Sequence, residues 1–173
     1  MQKDFSYILK IEDLTQSAHH YALKADKKEL EALKEILKVE NVQFFEADID
    51  LKLNRKAHLL DMSGNVKSML ELKSVISLEN FIKEYDVPFS YRFDTSLTYE
   101  DVKDMDFGIN DEVPEIIENG QIDLAQIAIE QLALAMEDYP RMEGEKFEFQ
   151  SEFDEETTRA MHPFAVLEKL KKK

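Results

Sequence analysis

An α+β fold is expected from three features of the sequence: a twisted antiparallel β-sheet with packed helices and an acidic, partly flexible C-terminal segment. Between Phe45 and Phe93 apolar and polar residues alternate at period two, the spacing that sets one strand face on a core and the other in water. Segments 27–38 and 124–137 carry apolar residues at helical spacing behind an Asp, which marks two amphipathic helices with N-caps. Beyond residue 141 acids accumulate and aliphatic residues thin out. The strands succeed one another without intervening helices, so a meander is expected, with barrel-like closure as the alternative arrangement. The domain division is a single body over 1–141, followed by an acidic segment with a short basic helix over 142–173.

The elements follow in order. Phe5, Tyr7, Leu9 and Ile11 alternate with Ser6, Ile8 and Lys10 and give a first strand; Tyr21–Lys24 gives a short second. Asp26 and Glu29 stand at capping-box spacing, ahead of Leu30, Leu33, Ile36 and Leu37 on one helical face. Phe45, Ala47, Ile49, Leu51 and Leu53 then alternate with Glu46, Asp48, Asp50 and Lys52. After a turn at Asn54–Lys56 the even positions from Leu60 to Leu78 hold one phase, broken by Gly64. A strand that long is expected to bend, with a bulge or kink at the glycine. Tyr85, Val87, Phe89, Tyr91 and Phe93 form another strand. Pro88 has no N–H, so it belongs at an edge or with its nitrogen turned outward. Tyr99–Val102 reads as a short helical turn and Asn119-Gly120 as a turn. Asp123 caps the helix at 124–137, with Gln126 as its reciprocal partner. Leu124, Ile127, Ile129, Leu132, Leu134 and Met136 are expected inside. Pro140 ends the helix. A last helix begins at Pro163 and ends in lysines.

Composition narrows the function. The 173 residues carry 22 Lys+Arg against 37 Asp+Glu, a net charge of −15, and no cysteine. Disulfide, thiolate and cysteine-zinc chemistry are thereby excluded. Residues 101–160 hold 18 acidic and 4 basic side chains, so this third carries most of the negative field. Sequence-independent binding of phosphate backbones depends on clustered Lys and Arg and is not expected. The start, MQKDFSYILK, lacks a long apolar core, and no apolar run is long enough to span a bilayer. A cytoplasmic protein with no membrane contact is expected.

Candidate chemistry is sparse. His19 and His20 are neighbours on a strand and point to opposite faces, which argues against one shared metal. Asp48 and Asp50 share a face with Glu46 and could serve a hard cation in a metal-dependent nuclease. They fit better as the wet side of a half-buried strand. Neither a nucleophile elbow nor a glycine-rich phosphate loop is present. The aromatic run Tyr85–Phe93 suits core packing better than base stacking, because no positive charge accompanies it. No catalytic residue, cofactor, metal or small-molecule substrate is expected. The basic tail Lys169, Lys171, Lys172 and Lys173 offers weak, salt-sensitive RNA contact at most.

Residues 119–141 contain Ile122-Asp123-Leu124, then Glu130-Gln131-Leu132, then Pro140-Arg141. This order resembles the signature of the YceD family, the large ribosomal RNA subunit accumulation proteins, formerly a domain of unknown function. The Asp-Tyr-Pro-Arg ending and Pro163–Leu167 are similar to its alphaproteobacterial branch. Gly64 and the long strand after it also fit the family layout. Many members carry Cys where this chain has Ser74, and others carry Cys pairs after the helix; with no Cys here, no metal site carries over. The resemblance implies a non-enzymatic role in accumulation or maturation of large-subunit (23S) ribosomal RNA. From the charge we expect a basic partner, a ribosomal protein or a pre-50S particle, with RNA contact weak or indirect. The expected contact surface is Asp101, Asp104, Asp106, Glu112, Glu115 and Glu118, within the acidic stretches 101–118 and 143–156. A generic acidic interaction module is the alternative.

Overall fold

Three long strands form the centre of the main sheet, each carried by long runs of period-two alternation. In the computed structural model residues 5–103 and 115–146 are described. Chain contacts divide the protein into units Met1–Met142 and Glu143–Lys173, and the architecture below is that of the first. It runs β1 (Ile8–Lys10), β2 (Ala18–Lys24), α1 (Lys27–Leu37), β3 (Asn41–Asn54), β4 (Leu59–Lys73), β5 (Asn80–Asp94), α2 (Tyr99–Lys103), β6 (Glu115–Ile116), β7 (Gln121–Asp123) and α3 (Leu124–Ala135). The main sheet has the order β2-β3-β4-β5-β6, and β1 pairs with β7 in a separate ribbon. All neighbours in the main sheet are antiparallel except β5 and β6. The class is α+β, as expected, with a mixed sheet. The sheet is open, so the barrel alternative does not hold: β2 and β6 are its two margins.

Two backbone hydrogen bonds fix how the peptide groups point. Ala25 N donates to Phe45 O at 3.1 Å, and Thr95 N to His58 O at 2.8 Å. Peptide groups in a strand alternate sides. Odd residues of β2 therefore face β3, odd residues of β5 face β4, and even residues of both face outward. Pro88 is even and stands opposite Asn65, so its missing donor faces away from the ladder, as expected.

One sheet face is the core. Phe45, Ala47, Ile49, Leu51 and Leu53 of β3 meet Leu60, Met62, Val66 and Leu70 of β4, all buried. A register shift between Val42 and Phe44 lets both Val42 and Phe45 point inward. Beside it the buried Ser68 hydroxyl donates to Phe44 O at 2.8 Å. The face is covered by α1, α3 and the N-terminal segment, whose Phe5 ring meets Phe45 edge-on at 5.4 Å. Only Ile8–Lys10 of the expected first strand pairs, because Phe5 and Leu14 on either side are spent on the core.

Two expectations about β4 are corrected. The strand ends at Lys73, not Leu78. Ser74 Oγ accepts from Ile76 N at 3.1 Å and Ser77 N at 3.3 Å, folding the chain into a tight turn that feeds β5 at Asn80. Leu78, with φ 63° and two-thirds exposed, belongs to that turn. Gly64 makes no bulge either: it pairs in register with Ile49 and Phe89. A Cβ there would lie 2.5 Å from Phe89 Cζ and 2.8 Å from Asp48 O. The glycine is a floor for the Phe89 ring.

The helices match their caps. Asp26 and Glu29 form the expected capping box of α1. In α3, Leu124, Ile129 and Leu132 are buried, with Ile127 and Met136 partly so. Leu134 contradicts the expectation at 78% exposure. It lies four residues past Glu130 and three before Glu137, on the polar stripe.

Candidate functional site

The residues expected to form the signature are spread along α3 and the chain after it, with Ile122, Asp123 and Leu124 at the start of the helix. Asp123 ends β7 and caps the helix. Its Oδ1 accepts from Ala125 N at 3.0 Å and Gln126 N at 3.2 Å. The same oxygen accepts Tyr7 N at 2.8 Å, and Oδ2 accepts Ser6 Oγ at 2.5 Å. Leu124 N returns a bond to Tyr7 O at 3.0 Å. One carboxylate thus joins the N-terminal segment, the β1–β7 ribbon and the helix. Gln126 is not its reciprocal partner, as had been expected. The amide of Gln126 donates instead to Glu130 Oε1 at 3.0 Å, one turn on.

Several of the other expected signature residues pack or bridge elements. Ile122, Leu124 and Leu132 are buried. Gln131 Nε2 donates to Tyr91 Oη at 2.6 Å, tying α3 to β5. Pro140 O accepts Val75 N at 2.9 Å, tying the chain after the helix to the β4–β5 turn. Arg141 is exposed. A Lys83–Glu137 ion pair closes the far end of the helix. Nearby, Tyr85 Oη is buried with no hydrogen-bond partner among the described residues, and burial, assisted by Glu137, pushes its pKa up to about 12.

Of the proposed acidic contact, Asp104, Asp106 and Glu112 lie outside the described residues, as do Lys169, Lys171, Lys172 and Lys173. Glu115 and Glu118 are exposed. Asp101 is engaged locally: its Oδ2 accepts Thr98 N at 2.8 Å and Thr98 Oγ1 at 2.6 Å. The hydroxyl bond holds its carboxyl below the ordinary carboxylate range. Asp101 therefore closes the first turn of α2, a role its spacing from Thr98 could have shown.

The second sheet face is polar and, among the described residues, uncovered by any helix. Its charges cross-pair between strands: Lys24 with Glu46 at 2.6 Å, His20 Nδ1 with Asp50 at 3.0 Å and Nε2 with Asp48 at 3.8 Å, Arg92 with Asp61 at 2.7 Å. An open trough of about 600 Å³ crosses this face, lined in part by Asp50, Lys52, Asp61, Ser63, Ser90 and Arg92. Asp48 and Asp50 are well exposed. Among the described residues no group of three or more His, Asp or Glu could hold a metal ion. His19 is on the other face, where its Nε2 accepts Thr15 N at 3.1 Å, so the two histidines separate as expected.

No helix among the described residues is long and apolar enough to cross a membrane. No curated protein and no solved structure matches the chain. The family model of the large ribosomal RNA subunit accumulation protein YceD matches residues 62–171, from near the start of β4 onward. Matched over more than half its length, the chain belongs to the YceD family.

Proposed function

We propose that this protein supports accumulation of large-subunit (23S) ribosomal RNA without catalysing a reaction, by holding a basic protein partner. The partner is a ribosomal protein or a pre-50S particle. Family membership supports the rRNA role. The observation that carries the manner of action is the net charge of −15 with 18 acids against 4 bases in residues 101–160. Such a field repels bare RNA and accelerates encounter with a cationic surface. The acidic stretches 101–118 and 143–156 supply long-range attraction, and the lysines at 169–173 a minor RNA touch. No cofactor or small-molecule substrate enters this reading.

The test is co-sedimentation with large-subunit precursors over a salt series. Association that weakens steadily with salt is expected. Absence of binding to every ribosomal protein and precursor overturns the proposal, as does tight affinity for naked RNA at physiological ionic strength.

A further inference from the structure

Among the described residues no strand pairs with the outward edge of β2, whose one lysine, Lys24, stands at its end in an ion pair with Glu46. The even residues of β2, Ala18, His20, Ala22 and Lys24, turn their peptide groups to this margin of the sheet. Edge strands are commonly blunted by Pro, a bulge or a covering segment. On the opposite side of the sheet, β5 has Pro88 in its outward row and β6 across its end. β2 contains no Pro, and its register with β3 runs unbroken from Ala18 to Lys24.

The side chains along this edge select what it can take. On the outer face Ala22 stands opposite Asp48 and His20 opposite Asp50. The two carboxylates are 63% and 65% exposed, with the His20 ring beside both, Nδ1 at 3.0 Å from Asp50 and Nε2 at 3.8 Å from Asp48, so an incoming cation shares them with His20. A strand added beside β2 would lie about 10 Å from β3, two strand spacings. Ala22 stops at Cβ, so an extended Lys or Arg on the added strand reaches over it to Asp48. On the inner face the Tyr21 ring meets Tyr7 edge-on at 5.7 Å, and Tyr7 is 42% exposed. That pair is a shelf for apolar side chains of opposite parity.

We infer that the β2 edge takes up an extended segment of a cationic partner by strand addition, with Lys or Arg alternating with apolar residues. The inference rests on the cationic-partner reading above and adds to it main-chain pairing and a fixed side-chain period. Charge decides the occupant, because a second copy of this chain would bring another body of net charge −15.

The full chain is titrated with a short peptide of alternating lysine and valine, and with a peptide of the same composition in which the lysines form one block. The alternating peptide is expected to bind about tenfold tighter, the worth of one or two added main-chain hydrogen bonds. Ala22→Pro removes an outward donor and leaves the β2–β3 ladder whole; it is expected to erase the preference. Ala22→Lys keeps the backbone and places a cation in the path to Asp48, with the same result and no threat to folding. If Ala22→Pro unfolds, Ala22→Lys decides. Equal binding of the two peptides, or variants that bind like the parent, overturns the edge site. The cationic-partner reading then stands or falls separately on the salt series with precursors. A dimer in sedimentation equilibrium that Ala22→Lys dissolves would make a second copy the occupant and overturn the inference too.

Discussion

The amide of Tyr7 donates to the carboxylate of Asp123 at 2.8 Å, across 116 positions of sequence. The same Oδ1 caps α3 through Ala125 and Gln126. Deleting the carboxylate uncaps the helix and releases the N-terminal segment together. Asp123→Ala is expected to lose about 2–3 kcal/mol in urea unfolding, the sum of a lost cap and a lost tertiary anchor. Asp123→Asn keeps one carbonyl acceptor and should lose less. If the Ala variant unfolds like the parent, Asp123 does not anchor the N-terminal segment.

Gly64 and Phe89 form a second coupled pair. Gly64→Ala drives a methyl into the Phe89 ring and toward Asp48 O, at an expected cost of about 1–3 kcal/mol. Adding Phe89→Leu should recover part of that cost, since the ring yields but the backbone oxygen does not. A double-mutant cycle reads the coupling directly; strictly additive losses would mean that the ring does not fill the space above the glycine.

Tyr85 gives a pH signature. Its folded pKa of about 12 stands above the ordinary 10.0. The neutral phenol is therefore compatible with folding below pH 10, whereas the unfolded chain ionises first as pH rises. Stability should fall between about pH 10 and the folded pKa of about 12. Tyr85→Phe also removes a buried hydroxyl with no hydrogen-bond partner among the described residues. It is expected to match or exceed parental stability at neutral pH, by up to about 1 kcal/mol, and to flatten the alkaline decline. A steeper decline in the variant would contradict this account.

Leu132 and Leu134 sit two residues apart on α3 and should respond oppositely. Leu132 is fully buried, so Leu132→Ala is expected to cost about 2–5 kcal/mol. Leu134→Glu, on the polar stripe, should change stability by less than about 0.5 kcal/mol. Thermal melts of the two variants check the contrast; a large loss from Leu134→Glu would place that side chain in the core.

Local chemistry made much of this fold readable. The alternation of Phe45–Leu53 gave β3 and its wet face, and the Asp26–Glu29 spacing gave the start of α1. Pro88 was placed on an outward position because a missing donor permits little else. What escaped depended on partners distant in sequence. β7 exists only because Ile8–Lys10 lies beside Gln121–Asp123, and β6 is a two-residue strand held by Phe93 and Asp94. Ser74 kept the strand phase and hid a turn. Gly64 resembled a bend, since the ring that needs its space comes 25 residues later. The exposure of Leu134 was readable from its spacing to Glu130. The bonds of Asp101 to Thr98 were signalled by a three-residue spacing.

Pro88 has a consequence for growth into fibres. Endless edge-to-edge stacking needs a receptive margin at both ends of each subunit, one to accept and one to offer. Here one margin is interrupted by a ring that cannot donate, so a copy that docks on the other terminates the row instead of extending it. A foreign strand taken up on β2, as inferred above, would therefore leave no second unbroken margin from which copies of the chain could polymerise.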